Sequence, residues 1–316
     1  MILDPICYVE NIMLIVNKLT SMEGNKMKVE KIFTPFPIGN CEIPNRLVVP
    51  AMVANMCPDN GKASEQYIRY HEEKAKGGWG LIITEDYRIN KNAAGYPAVA
   101  GLYDEDQIPS HRKLTDTIHK YGTKIFCQIY HAGRQANHNV NGGVRPVSCS
   151  PVPCPWNKEI PHELTVDEIH GLVKEFGITA RNAKRAGFDG IEIHAAHGYL
   201  IHEFLSPNCN HRIDEYGGTY ENRMRFLKEI MQEVRRQVGK DFPISVRFSA
   251  EENTEGGRGM FESRQMLIDI EKMGADVIHL SNGMYGVRSS LGIVASFFQH
   301  HGWNMDIAAE AKSFLH

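Results

Sequence analysis

The stretch GFDGIEIHAAHGYLIHEF, residues 187–204, carries the clearest structural signal in the chain. Gly187 ends a helix predicted over 167–186, and an apolar strand predicted over 189–194 follows directly. A helix that passes at once into a buried strand is typical of a strand–helix unit in a parallel sheet. The strand ends on His194, and two more histidines and a glutamate follow, so the unit also holds candidate functional residues.

Six such strand–helix units alternate along the chain. Predicted strands cover 46–50, 80–84, 124–129, 189–194, 243–248 and 276–280, and predicted helices cover 64–76, 108–121, 167–186, 221–238, 262–273 and 305–316. Strict alternation implies a parallel sheet with right-handed crossovers. The segment 33–44 precedes the first unit and is predicted to form a hairpin that closes the bottom of a barrel.

Two α/β architectures fit this alternation, an open doubly wound sheet and a (β/α)8 barrel. No Gly-x-Gly-x-x-Gly follows any predicted strand, which weakens the dinucleotide-binding reading. Polar residues stand at the carboxyl ends of the strands instead: Glu85, Gln128, His131, His194, Arg247 and Asn282. In a barrel these ends meet at one site. We therefore predict an α/β fold, a (β/α)8 TIM barrel of which about six strand–helix units are present.

Composition narrows the functional classes. The chain has 316 residues, 42% of them apolar, and a net charge of -3, so nothing favours a nucleic-acid or acidic-membrane partner. The sequence contains no run of 18 apolar residues, so we predict no membrane-spanning helix. The seven cysteines are odd in number and lack a Cys-x-x-Cys pair, which favours reduced thiols in a cytoplasmic protein.

The start of the chain suggests two segments. Residues 1–27 lack the basic start and small-residue cleavage site of a signal peptide. We expect this N-terminal extension to consist of upstream read-through over residues 1–26, with Met27 as the natural first residue; the alternative is a genuine N-terminal helix. Residues 28–316 are then expected to form an incomplete TIM barrel.

The histidine-rich stretch also raises the question of a metal site. His194, His197 and Glu203 have ligand atoms suited to zinc. The metalloprotease spacing is His-Glu-x-x-His on a helix, however, whereas here Gly198 interrupts the run and His194 ends a strand. We therefore predict no metal. Arg247 indicates a different kind of ligand. An arginine inside an apolar strand is costly to bury unless an anionic group faces it, so we expect such a group near Arg247.

Four strings resemble one enzyme family: NRLVVPAM (45–52), QIYHAGR (128–134), IEIHAAHGYLIHEF (191–204) and NHRIDEYGGTYENRMRF (210–226). They are similar to the old yellow enzyme / NADH:flavin oxidoreductase family of FMN-dependent barrels. The resemblance covers roughly residues 30–316. It is closest to the branch that holds 2,4-dienoyl-CoA reductase and the bile-acid-inducible oxidoreductases.

The resemblance implies a set of cofactor-binding residues: Pro50, Ala51, Met52, Asp86, Gln128 and Arg247. The turn 50–52 would lie along the flavin ring. Gln128 would hydrogen-bond the pyrimidine edge, and Arg247 would face N1 and O2, where negative charge grows on reduction. Val53 departs from the Thr or Cys of many relatives near flavin O4, which implies a different flavin potential.

The resemblance also implies catalytic residues. His194 and His197 would bind the carbonyl oxygen of the substrate, and Tyr199 would donate a proton to the α-carbon. Dienoyl-CoA reductases carry a second catalytic histidine after strand six, where this chain reads SNGMY (281–285). Either Tyr285 stands in for that histidine or the substrate differs.

The implied activity is an FMN-dependent ene reductase that reduces the activated C=C of an enoyl thioester or enone, with NAD(P)H as donor. One alternative is a truncated, non-catalytic fragment of such an enzyme. Another is a relative of flavin amine dehydrogenases, which carry Tyr where this chain has His194. The expected partners are NAD(P)H and an unsaturated carbonyl compound, and a homo-oligomer is compatible with the sequence.

The resemblance extends past the end of the chain. Relatives have two further strands whose loops hold the FMN phosphate, and the longer ones add a 4Fe-4S cluster and an FAD domain. On this reading the chain stops two strands short, and it is expected to bind FMN poorly.

Overall fold

Eleven strands are present in the computed structural model, which describes residues 30–285, 293 and 302–316. In chain order they are β1 (Phe36–Ile38), β2 (Cys41–Ile43), β3 (Val48–Val49), β4 (Leu81–Ile83), β5 (Tyr87–Arg88), β6 (Lys124–Tyr130), β7 (Val147–Ser148), β8 (His162–Glu163), β9 (Gly190–Ala195), β10 (Ile244–Ser249) and β11 (Val277–Ser281). The main sheet runs β3-β4-β6-β9-β10-β11, all parallel, and β5 adds to β6. The curled parallel sheet confirms the predicted fold class and all six units.

Helices follow the strands as predicted. They are α1 (Glu65–Lys76), α2 (Ile108–His119), α3 (Val166–Arg185), α4 (Leu200–Leu205), α5 (Tyr220–Val238), α6 (Met260–Lys272) and α7 (Met305–Lys312). Ser64 caps α1 by accepting a hydrogen bond from the Tyr67 N–H at 3.0 Å. The predicted ends of α2 and α7 were too late by two and four residues, and the first strand is limited to Val48–Val49.

The main core lies between the helices and the outer face of the sheet. Outward-facing strand residues such as Ile191, Ile193 and Val246 are fully buried there against helix residues such as Phe176 and Phe226. Burial of a large apolar side chain stabilises a fold by about 1.5–3 kcal/mol. This layer explains why the strands are rich in apolar residues even though their other faces carry polar groups.

The hairpin β1–β2 closes the amino-terminal end of the sheet. Ile38 and Ile43 pack with Leu81 and Ile83 in a second apolar cluster. The amide of Asn40, at the tip of the hairpin, donates a 3.1 Å hydrogen bond to Asp241. The predicted hairpin and its position at the bottom of the barrel are therefore confirmed.

The inner face of the sheet becomes polar toward the carboxyl ends of the strands. Arg247 is in register with His194 on one side and His279 on the other, so the three lie at one level. Gln128 is in register with Glu192 on the neighbouring strand. Alternation along each strand points these side chains inward, so the polar strand ends do converge as predicted.

Some expectations concern residues that the structure does not describe. The expected N-terminal extension, 1–27, is among them, as is most of 286–301. Over the residues that are described, no helix combines the length and apolar character needed to cross a membrane. Within the same residues, β3 and β11 form the two lateral edges of the main sheet.

Candidate active site

Three predicted catalytic residues meet where β9 ends. The chain turns sharply after the strand, with positive φ at His197 (62°) and Gly198 (77°), and then enters α4. This turn brings the ring of His194 to 5.1 Å from that of His197 and 4.9 Å from that of Tyr199, measured between centroids. All three side chains are buried.

His197 is held in its unusual conformation by groups from several elements. Its N–H donates to Ser249 Oγ at 3.0 Å, and its Nε2 lies 2.7 Å from Ser281 Oγ. Its carbonyl oxygen accepts from the Tyr285 N–H at 3.1 Å and from the Gln135 amide at 2.8 Å. A non-glycine residue with positive φ costs free energy and persists only where its surroundings enforce it, which is common at functional sites.

Both imidazoles are neutral at physiological pH. Burial lowers the pKa of His194 and of His197 well below 6.5, and the nearby charge of Arg247 lowers both further. The Ala196 N–H donates to His194 Nδ1 at 3.3 Å, which leaves the ring proton on Nε2. His194 therefore offers a neutral N–H donor at the site.

Tyr199 belongs to a group of three tyrosine hydroxyls. The hydroxyl of Tyr96 lies 3.5 Å from that of Tyr199 and 3.1 Å from that of Tyr285. All three tyrosines line a cavity of about 330 Å³, whose outer rim includes Trp156, 64% exposed. Sequence reasoning missed Tyr96 because its segment between β5 and α2 has no periodicity or motif.

The predicted cofactor-binding residues Gln128 and Arg247 leave polar atoms without partners. The Gln128 amide nitrogen donates to Glu192 at 2.7 Å, while its buried carbonyl oxygen has no partner among the described residues. Arg247 Nη1 donates to the Ala51 carbonyl at 3.2 Å, and its buried Nε likewise lacks a partner there. Buried polar groups in proteins are normally satisfied, so these atoms are suited to a ligand.

The turn 50–52 provides a surface beside these atoms. Ala51 is buried, whereas Pro50 is exposed and Met52 is 56% exposed. An FMN isoalloxazine is a flat ring whose pyrimidine edge carries both an N–H donor and carbonyl acceptors. Gln128 could accept from that N–H and Arg247 could donate to the carbonyls, so the residues present fit this ring.

Two carboxyl groups follow β4. Asp86 is buried with Oδ1 3.9 Å from His194 Nε2, and burial raises its pKa to about 7 although Arg247 acts against the shift. Burial also raises the pKa of Glu85 to about 7, although Glu85 accepts a hydrogen bond from the Ala54 N–H. Asp86 thus lies beside a predicted substrate-binding histidine.

The remaining residues of the histidine-rich stretch brace the surrounding loops. His202 Nε2 lies 3.2 Å from buried Glu252. Glu203 accepts from Ser148 Oγ at 2.6 Å and from the Arg134 N–H at 2.9 Å. In the part of the chain that the structure describes, no group of three His, Cys, Asp or Glu side chains is arranged to hold a metal ion.

Sequence reasoning also missed Glu192, which lies fully buried inside the barrel beside Gln128. A usable signal was present. An acidic residue at an inward position of an apolar strand is as costly to bury as Arg247, and it therefore indicates a partner inside the barrel.

The fold and the site define an α/β barrel with its functional residues at the carboxyl ends of the strands. A family model described as the NADH:flavin oxidoreductase / NADH oxidase family matches residues 31–288. The chain belongs to this family, and its similarity to the old yellow enzymes is confirmed.

Three similar proteins illustrate the relationship. An NADH oxidase of Thermoanaerobacter brockii is 42% identical over 288 residues, which cover 90% of this chain. A probable flavin mononucleotide-dependent alkene reductase of Leishmania infantum is 35% identical over 70% of this chain and 64% of its own length. A solved structure of 2-naphthoyl-CoA reductase with 2-naphthoyl-CoA aligns over 90% of this chain with a TM-score of 0.84 and 30% identity. This chain spans 44% of the first relative and 45% of the solved one.

Proposed function

We propose that this chain carries the FMN and substrate sites of an NAD(P)H-dependent ene reductase. The observation that carries the proposal is the pairing of two features at one barrel end. Neutral His194 and His197 stand beside Tyr199, and unpartnered atoms of Gln128 and Arg247 stand nearby. Two similar proteins are named a probable alkene reductase and a 2-naphthoyl-CoA reductase, and these names support the same reaction class.

His194 and His197 would bind the carbonyl oxygen of the substrate. Bound FMN would supply the hydride chemistry, accepting hydride from NAD(P)H and delivering it to the β-carbon. Negative charge then grows on the carbonyl oxygen, and the Nε2–H of His194 is a donor already fixed in orientation. Preorganised donors of this kind stabilise developing charge without reorganisation cost.

Tyr199 would supply the proton to the α-carbon. Burial raises the pKa of Tyr199 well above 10, so the hydroxyl keeps its proton until the substrate carbanion takes it. The hydroxyls of Tyr96 and Tyr285 continue from that of Tyr199 as a row along the cavity wall. We propose that Tyr285 takes part in proton supply through this contact with Tyr96.

The cavity favours flat unsaturated carbonyl compounds. Its walls include the rings of Tyr96, Tyr199 and Tyr285, and its volume of about 330 Å³ suits a small conjugated group. An enoyl thioester or an enone has such a group, and the rim at Trp156 leaves the rest of a thioester outside.

The full chain can be tested by anaerobic spectroscopy. It is mixed with FMN, reduced with NADH or NADPH, and then given 2-cyclohexenone or a cinnamoyl thioester. We expect the nicotinamide to bleach the protein-bound flavin and the unsaturated compound to restore its absorbance. A chain that binds no FMN even when the flavin is in large excess would refute the cofactor assignment, and a bound, reduced flavin that neither compound reoxidises would refute the ene-reductase assignment.

A further inference from the structure

One buried carboxylate connects four neighbouring strands inside the barrel. Glu192, on β9, accepts from the Gln128 amide at 2.7 Å and from Ser245 Oγ at 2.8 Å, and its Oε2 lies 3.0 Å from His279 Nδ1. These three partners come from β6, β10 and β11. We call the set of Gln128, Glu192, Ser245 and His279 the lumen cluster.

Glu192 is negatively charged at neutral pH. Burial alone would raise its pKa, but the attraction and hydrogen bond of His279, together with Arg247 and Ser245, lower the pKa to about 2. A buried charge persists when its lone pairs are satisfied and opposite charges lie near. Glu192 meets both conditions, because its oxygens have partners in the lumen cluster and Arg247 supplies an opposite charge nearby.

The charge of Glu192 determines which atom Gln128 presents to the site. A carboxylate only accepts hydrogen bonds, so the part of the amide that faces it must be the NH2 group. The carbonyl oxygen of Gln128 is consequently turned the other way, where it is buried without a partner among the described residues. The opposite amide orientation would set oxygen against oxygen.

We infer that Glu192 is a positioning residue for the flavin: it turns the Gln128 carbonyl oxygen toward the ring N–H, and its charge offsets part of that of Arg247. This inference rests on the proposed function. It assigns Glu192 two separable effects, one on the binding of oxidised FMN and one on the balance between oxidised and reduced FMN. The second follows because reduced flavin gains negative charge, which a fixed carboxylate opposes.

The test is Glu192→Gln in the full chain, which removes the charge and keeps the shape. We expect the Kd of oxidised FMN to rise about tenfold, because the Gln128 amide is no longer forced into one orientation. We also expect the affinity for reduced FMN to rise about tenfold relative to the affinity for oxidised FMN. This change raises the midpoint potential of the bound flavin by about 30 mV for a two-electron couple.

Glu252→Gln is a matched control. Glu252 is also fully buried and also faces one histidine and one serine, His202 at 3.2 Å and Ser206 at 3.0 Å, but it lies outside the lumen cluster. We expect this variant to leave both the FMN affinity and the potential unchanged. If Glu192 had a purely structural role, its replacement would weaken the binding of oxidised and reduced FMN equally and leave the midpoint potential unchanged. That result would overturn the inference.

A second measurement does not depend on the variant folding. In the flavin-free wild-type chain, the Gln128 side-chain amide protons should exchange slowly in NMR spectra, because they are buried against Glu192; rapid exchange would overturn the inference. Wild-type protein that binds no FMN refutes the proposed function and the inference with it. Wild-type protein that binds FMN, with Glu192→Gln indistinguishable from it, refutes the inference alone.

Discussion

The hydroxyl of Tyr199 can be removed with little change to the ring. Tyr199→Phe should slow reoxidation of the reduced flavin by substrate about 100-fold or more, since a positioned acid contributes on that order. Reduction of the flavin by NAD(P)H should be nearly unaffected, because that half-reaction needs no such proton. Stopped-flow absorbance separates the two steps, and equal slowing of both would exclude Tyr199 as the donor.

Asp86 should make the same half-reaction depend on pH. Burial raises its pKa to about 7, so the carboxyl is neutral below that pH and anionic above it. An anion 3.9 Å from His194 Nε2 opposes the charge that grows on the bound carbonyl oxygen. The groups that share its surroundings are Arg247, Glu192, Glu85, Tyr199, Tyr130 and Tyr285.

We therefore expect the rate of substrate reduction to fall as pH rises through about 7, and Asp86→Asn to flatten this fall. The measurement is the stopped-flow reoxidation rate from pH 5.5 to 8.5 for both proteins. An identical profile in the variant would show that another group titrates.

Single residues differ in how visible they are from sequence. His194 and Arg247 could be found because one ends an apolar strand and the other interrupts one. Tyr96 could not, since only tertiary contact brings its irregular segment to Tyr199. The positive φ of His197 was equally hidden, because hydrogen bonds from distant elements impose it.

At the scale of elements, helix starts were predictable because capping chemistry is local. Thr165 begins α3 with a capping box: its hydroxyl accepts from the Glu168 N–H at 3.3 Å, and the Glu168 carboxylate accepts from the Thr165 N–H at 2.7 Å. Helix ends were less certain. Several residues at the end of α2 are compatible with helix, and Gly122, where the helix was expected to stop, follows the observed end by three residues.

Thr165→Ala should lower the free energy of unfolding by about 1 kcal/mol, the usual effect of losing an N-cap. Thr117→Ala is the control. Thr117 lies inside α2, where its hydroxyl only donates back to the Lys113 carbonyl at 2.7 Å, so its loss should be close to neutral. Chemical denaturation followed by circular dichroism measures both, and equal effects would argue against the capping box.

At the scale of the whole molecule, buried carboxyl groups should make stability depend on pH in two opposite ways. Burial raises the pKa of Glu85, Asp86 and Glu203 to about 7, so between about 4 and 7 the folded state holds protons that the unfolded state has lost. The contribution of these three groups to stability therefore falls as pH rises through that window. Glu192 and Glu252 have pKa values lowered to about 2, so their contribution is lost as pH falls from about 4.5 toward 2.

Buried histidines act in the opposite direction to the three raised carboxyls. Burial lowers the pKa of His71 and His131 to about 3 and that of His111 to about 4, so below about 6.5 the unfolded state takes up protons that the folded state does not. The effect of one carboxyl group is therefore measured as a difference from the wild type. Between pH 5 and pH 8, Glu203→Gln should lose on the order of 1–3 kcal/mol less stability than the wild type, because one of the three raised carboxyls no longer titrates. Urea denaturation at several pH values tests this. A variant as pH-sensitive as the wild type would show that Glu203 loses its proton without consequence for folding.

The order of strands and helices could be predicted from the sequence, whereas the side-chain contacts inside the barrel could not. Alternating periodicity placed six strands and six helices, and polar strand ends indicated where the candidate site lies. The lumen cluster could not be assembled in the same way, because its members lie 64 and 87 residues apart in the chain, and only strand order and register bring them together.

That separation has a consequence for how the chain folds. Contacts between distant segments form late, after the entropy cost of closing long loops has been met. The lumen cluster needs β6, β9, β10 and β11 side by side, so the cradle for the flavin ring should be among the last features to appear. Flavin added during refolding should therefore slow unfolding of the finished protein and leave the early folding phases unchanged.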